Sequence, residues 1–151
     1  MAKKFSKNVE TVIKILEDEV KGDVRFALKK LTKDYTMTWV YKSEKKLFPR
    51  TKKNLKADLE KVYLIKGRQY DIKNIAEGKN LVMIELVESY PDPKTKKLYR
   101  TPLILVLEMK GGKIKRGRHY CDPRLSFMNL EKEQIEKVYE KKSSGRFTIK
   151  K

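Results

Sequence analysis

The chain's one imidazole and one thiol, the side chains most ready for acid–base and nucleophilic chemistry near neutral pH, stand close together late in the chain. There is one histidine, His119, and one cysteine, Cys121. An imidazole titrates near neutrality, so His119 can serve as a general acid or base. The other reading is a hydrogen-bonded strand histidine, since partial burial is ordinary for this residue. Cys121 lies two residues on and shares a strand face with His119. Such neighbours stand about 6–7 Å apart, which is long for direct proton transfer, so Cys121 reads as a buried structural thiol. Asp122, before Pro123, is either a pocket carboxylate or a turn residue bonding backbone amides. Glu85 is a carboxylate inside an apolar strand. It is a second pocket acid with a raised pKa, or it pairs with a Lys or Arg, or it lies on a subunit interface. Tyr35, Trp39 and Tyr41 form an aromatic row, suited to stacking on a flat ligand and to donating to its carbonyl, or simply to core packing. Arg116 and Arg118 alternate with His119 and face the other way.

These residues need elements to hold them. Val9, Val12, Ile13, Leu16 and Val20 recur at helical spacing, with Ser6 as N-cap. Lys21-Gly22-Asp23 breaks the helix, and Asp23 caps a second short one with the stripe Val24, Ala27, Leu28 and Leu31. Residues 35–41 alternate as a strand with Tyr35, Met37, Trp39 and Tyr41 on one face. Lys42 to Arg50 is a polar loop, and Thr51 to Leu64 a helix with Leu55, Leu59, Val62 and Tyr63 inward. Four strands follow: Tyr70–Glu77, Leu81–Tyr90, Leu98–Met109 and Lys113–Cys121. Gly78-Lys79-Asn80 and Gly111-Gly112 supply hairpin turns. A final helix over about Asn129 to Lys142 places Ile135, Val138 and Tyr139 on one face. Residues 143–151 are loose or form a short edge strand through Phe147 and Ile149. The class is therefore α+β.

Strands 81–90 and 98–109 carry apolar residues on both faces: Leu81, Met83 and Val87 against Val82, Ile84 and Leu86, then Leu103, Leu105 and Leu107 against Ile104 and Val106. A sheet with one wet face alternates instead. Helices cover one face, and a homodimer through the sheet is expected to cover the other, since exposed apolar patches this large are unusual in monomers.

The chain has 151 residues, 38 Lys plus Arg and 20 Asp plus Glu, for a net charge of +18. The length suits one domain, residues 1–151, with a core of about 6–125 and a C-terminal helix and tail at 126–151. No run of 18 apolar residues exists for a membrane helix, and no apolar segment follows the basic start as in a secretory signal. With a single Cys no intrachain disulfide forms, which points to an intracellular, cytoplasmic protein. One His and one Cys cannot build a multi-ligand zinc site, and no glycine-rich phosphate loop is present, so no metal or nucleotide cofactor is expected. The positive charge attracts polyanions, but nothing beyond charge supports a nucleic-acid partner, and no RNA-binding signature accompanies it.

The order of elements, two helices, a strand, a helix and a long meander, resembles the cone-shaped fold of the nuclear-transport-factor-two-like superfamily, with its SnoaL-like polyketide cyclases, ketosteroid isomerases and limonene epoxide hydrolase. Gly112-Lys113-Ile114-Lys115-Arg116-Gly117-Arg118-His119-Tyr120-Cys121-Asp122-Pro123 is similar to the SnoaL-like turn that leads to an acid, an aromatic and an Asp-Pro. Leu31 to Trp39 resembles the family's early strand. Ile75-Ala76-Glu77-Gly78-Lys79-Asn80-Leu81-Val82 resembles its central hairpin. The resemblance covers about residues 9 to 125.

This resemblance implies a cystatin-like α+β barrel: a curved antiparallel sheet packed on N-terminal helices, enclosing a deep apolar pocket. His119 takes the place of the late-strand carboxylate of the cyclases. Thr38-Trp39 holds no acid where the steroid isomerases carry their base. Glu85 and Arg100 are candidates for part of an acid–Arg–acid relay like that of the epoxide hydrolase. Fold alone does not settle function. The expected function is a pocket protein for a small hydrophobic, carbonyl-type ligand. As an isomerase, cyclase or hydrolase it would use His119 and Glu85 as catalytic groups and Tyr35, Trp39, Tyr41 and Asp122 to bind. The alternatives are a non-catalytic binding or dimeric scaffold domain, which the missing family carboxylates favour, and a basic nucleic-acid binder.

Overall fold

The structure, a computed structural model, describes residues 5–40, 50–62, 66–92, 94–122, 124–125, 128, 130–139 and 146–151. Of residues 50, 55, 58, 59, 61 and 62 only the backbone is described.

Helix α1 (Lys7–Lys21) starts where Ser6 Oγ accepts from the Val9 amide at 3.3 Å. It stops at Gly22, whose φ of 77° suits glycine and lets its amide reach the carbonyls of Asp18 and Glu19. The buried stripe is Val9, Val12, Ile15 and Leu16. Ile13 and Val20, expected inside, are only partly buried, and Ile15 replaces them because it faces the concave side of the sheet. Asp18 is buried too, held by the Lys30 ammonium at 2.6 Å.

Helix α2 (Val24–Lys29) is capped by Asp23, which accepts from the Phe26 amide. Leu31 does not extend its stripe as expected. It opens strand β1 (Leu31–Trp39), because the Lys30 carbonyl accepts from the Ile114 amide and pulls the chain into the sheet. A two-residue strand β2 (Arg50–Thr51) precedes α3 (Lys52–Val62). Tyr41, Tyr63, residues 42–49 and the side chains of Leu55, Leu59 and Val62 lie outside what is described.

Strands β3 (Gln69–Gly78), β4 (Leu81–Pro91), β5 (Leu98–Lys110) and β6 (Lys113–Tyr120) form the antiparallel meander. Gly111 and Gly112 turn β5 into β6 with φ of 58° and 72°. Two consecutive positive φ values define the tight hairpin whose twist matches the strands. After the meander, α4 (Lys132–Glu136) is shorter than the helix expected over 129–142. Ile135 is buried, but Val138 is 79% exposed and shares no buried face with it. The chain leaves the helix after Glu136, and the Tyr139 ring lies against the charges of Lys73 and Arg146 instead. Strand β7 (Phe147–Ile149) then pairs with the edge of β3.

Among the described residues the seven strands run in the order β2-β1-β6-β5-β4-β3-β7. β1 joins β6 in parallel, with Trp39 opposite His119, so the sheet is mixed rather than wholly antiparallel. The class is α+β, with the core formed by the α1 stripe against Tyr70, Ile72, Val82, Ile84, Leu86, Leu103 and Leu107. On the outer face, Glu85, Ile104 and Tyr120 align across β4, β5 and β6, beside Met83 and Val106. Met83, Ile104 and Tyr120 remain 37–40% exposed. Among the described residues, no helix is long and apolar enough to cross a membrane.

Candidate functional site

A cavity of about 230 Å³ lies between the helices α1 and α2 and the concave face of the sheet. Strand alternation decides which side chains enter it. From β1 come Tyr35, Met37 and Trp39; from β4, Leu86 and Glu88; from β5, Leu103, Leu105 and Leu107; from β6, His119. The α1 stripe contributes Val12, Ile15, Leu16 and Glu19. Most of the wall is apolar, and its few polar groups gather in two places.

The first is His119. Its ring lies 6.3 Å from that of Trp39, its partner across the parallel pair. Burial pushes its pKa down to about 4, because a charged imidazolium loses its hydration there. At neutral pH His119 is therefore an uncharged imidazole, with one nitrogen able to donate and the other to accept. Gly117, two residues earlier on the same face, lets Met37 lie across the strand. A Cβ at Gly117 would stand 2.7 Å from Met37 Sδ and Cε.

The second gathers Glu19, Tyr70, Arg68 and Glu88. The Tyr70 hydroxyl donates to Glu19 Oε2 at 2.5 Å. The Arg68 guanidinium donates to Glu88 and lies 4.9 Å from the Tyr90 ring centre. Arg68 is 4% exposed, so its charge is neutralised by this carboxylate rather than by water. Burial, then the Glu19 carboxylate, pushes the Tyr70 phenol far up, with nearby Arg68 opposing. The same two causes raise Tyr35. Both phenols stay protonated; the Tyr70 proton is committed to Glu19, which leaves Tyr35 as the phenol able to donate to a ligand.

Of the residues singled out in the sequence, Tyr35, Trp39 and His119 meet in this cavity. Glu85 stands on the opposite face of β4 from Leu86 and accepts from Asn74 Nδ2 at 2.5 Å. Asp122 sits beyond β6, where it binds the Arg124 guanidinium and accepts from the Arg124 amide. Those bonds hold its carboxyl below the usual range. Arg100 donates to the Leu130 carbonyl and lies 3.9 Å from Glu131, tying the α4 segment to the sheet; it forms no relay with Glu85. Cys121 packs half-buried against the core, and burial, helped by Asp122, raises its thiol to about 11. Tyr41 lies outside the described residues.

Sequence reading overlooked Glu19, Arg68, Tyr70 and Glu88, though each left a signal. Glu19 follows Val12, Ile15 and Leu16 at helical spacing, a charge set on an apolar stripe. Glu88 has the parity of Val82, Ile84 and Leu86, the buried face of β4, whereas Glu85 has the other parity. Among the described residues no group of three or more His, Cys, Asp or Glu is placed to hold a metal ion.

No protein-family model matches the sequence, and no curated protein matches it. Solved structures do match in fold. A SnoaL-like protein from Shewanella putrefaciens superposes with a TM-score of 0.71 at 10% identity, covering 84% of this chain and 87% of that one. A protein of ketosteroid isomerase-like fold from Catenulispora acidiphila, in complex with trimethylamine, gives 0.69 at 12% identity, covering 80% and 91%. SalBIII, an epoxide hydrolase/cyclase-like enzyme of pyran ring formation in salinomycin, gives 0.66 at 14% identity, covering 78% and 92%. The chain has the cone-shaped α+β fold that these structures share.

Proposed function

We propose that this chain binds a small apolar molecule bearing a carbonyl or similar polar handle and performs acid–base chemistry on it. The carrying observation is the composition of the cavity: an apolar wall with an uncharged buried imidazole and two carboxylates, one on a phenol and one on a guanidinium. At about 230 Å³ the cavity is below the ~300–1,000 Å³ typical of drug-sized ligands, so the ligand is small. An imidazole with a pKa near 4 is a weak base at neutral pH, but it can polarise a carbonyl by hydrogen bonding, as a neutral electrophile. Proton transfer then falls to Glu19 or Glu88, which Tyr70 and Arg68 hold in place. In this reading His119 keeps a catalytic part, and the carboxylate part expected of Glu85 passes to Glu19 and Glu88. The isomerase-like and epoxide hydrolase/cyclase-like neighbours support this class of chemistry by analogy.

The test is a panel of small ketones and epoxides, read first by native mass spectrometry and then by turnover. The expected result is a retained ligand whose conversion falls at least tenfold in His119→Gln and in Glu19→Gln. Binding by no member, or conversion indifferent to both variants, overturns the reading. A second reading is binding without catalysis. It is favoured by the way Glu19 and Glu88 are already paired with Tyr70 and Arg68, and it predicts retention without conversion. In either case we propose a homodimer through the outer sheet face, where Met83, Ile104 and Tyr120 stay exposed side by side.

A further inference from the structure

A second surface, formed by α2 and α3 and independent of the cavity, is unusually basic. A shallow groove between these helices is floored by Val24 and Leu28 and rimmed by Arg25, Lys29, Lys52 and Lys56, with Glu60 the one carboxylate among the described residues. Glu60 lies 3.7 Å from Lys56. Among the described residues, none of the ion pairs takes Arg25, Lys29 or Lys52. Phe26, on the same short helix, is 42% exposed. The Arg25 guanidinium lies 5.2 Å and the Lys29 ammonium 5.0 Å from its ring centre. An exposed aromatic ring therefore lies beside two of the cations that rim the groove.

We propose that this surface binds single-stranded nucleic acid, the phosphates on Arg25, Lys29 and Lys52 and a base stacked on Phe26. The chemistry fits on two counts. Clustered cations track a phosphodiester backbone, and an exposed ring offers a stacking platform that any base can use. An acidic protein would satisfy the cations but has no need of the ring. The Lys52 ammonium donates to the Leu31 carbonyl at 3.2 Å, which fixes its position in the groove.

The probe is a fluorescein-labelled oligo(dT) of about 20 nucleotides, read by anisotropy on the full chain. With three or four phosphates neutralised, affinity should fall about 20- to 50-fold between 50 and 200 mM salt. Arg25→Ala/Lys29→Ala and, separately, Phe26→Ala should each weaken binding about tenfold or more. The charge-matched control Lys94→Ala/Lys97→Ala, in the distant β4–β5 loop, should weaken it less than twofold. All these side chains are exposed, so circular dichroism should be unchanged. Equal loss in the control, no loss in Phe26→Ala, or equally tight binding of polyglutamate to the same groove would each overturn the proposal.

Discussion

The hydroxyl of Tyr70 on β3 donates to a carboxylate oxygen of Glu19 on α1 at 2.5 Å, and both groups face the cavity. The bond braces the first helix against the sheet. A hydrogen bond to a charged group is worth about 1.5–3 kcal/mol. Tyr70→Phe should therefore lower the melting temperature by about 4–8 °C. Tyr70→Phe/Glu19→Met, which leaves no stranded acceptor, should recover much of that loss. Thermal denaturation of the three proteins checks it; equal melting of wild type and Tyr70→Phe would remove the bond from the account.

His119 makes stability depend on pH in a definite direction. Its folded pKa, about 4, lies below the ordinary 6.5. The unfolded chain thus binds a proton that the folded chain refuses, and stability falls as pH drops from about 6.5 toward 4. The full contribution, present above that window, is about 3 kcal/mol at most. His119→Gln should flatten the slope between pH 6.5 and 4.5 in urea titrations. As the chain holds one histidine, no second imidazole can mimic the effect.

Gly117 sets the room that Met37 occupies. A methyl there meets Met37 Sδ and Cε at 2.7 Å and a Leu107 methyl at 3.3 Å. Met37 is the flexible partner and must swing into the cavity. Gly117→Ala should cost about 1–3 kcal/mol through overpacking and should weaken any cavity ligand. Adding Met37→Ala should restore ligand uptake. Unchanged uptake in Gly117→Ala would mean that Met37 escapes outward.

The outer face predicts the subunit count. Ile104 is flanked by Glu85 and Tyr120 in one cross-strand row. Ile104→Lys puts a charge in the middle of that row, where the proposed dimer would bury it. Sedimentation velocity should show the wild type as a dimer and the variant as a monomer with unchanged far-UV circular dichroism. A monomeric wild type would leave the exposed apolar row unexplained.

The meander was legible in the sequence because strand parity and glycine turns are local signals, and its four strands begin and end within a residue or so of the expected bounds. The caps at Ser6 and Asp23 were legible for the same reason. What parity alone could not resolve was which face of a two-sidedly apolar strand looks inward. Glu85 stands out as a carboxylate among apolar residues, whereas Glu88, on the face that enters the cavity, lies near the strand end where a charge draws no notice. Glu19, Arg68 and Tyr70 come from α1 and β3, and their meeting is a tertiary event that no spacing announces. Leu31 shows the limit for elements: its helical spacing was real, but pairing with β6 overrode it.

The parallel contact between β1 and β6 has a consequence for how the molecule comes into being. Trp39 finds His119 only after the whole meander lies between them in the chain. During synthesis the aromatic row Tyr35, Met37 and Trp39 leaves the ribosome long before its partner strand exists. Contacts this remote in sequence slow folding, since loop closure must precede the reward. The cavity is therefore completed last. For that interval its aromatic wall is open to chaperones, or to other nascent copies of itself.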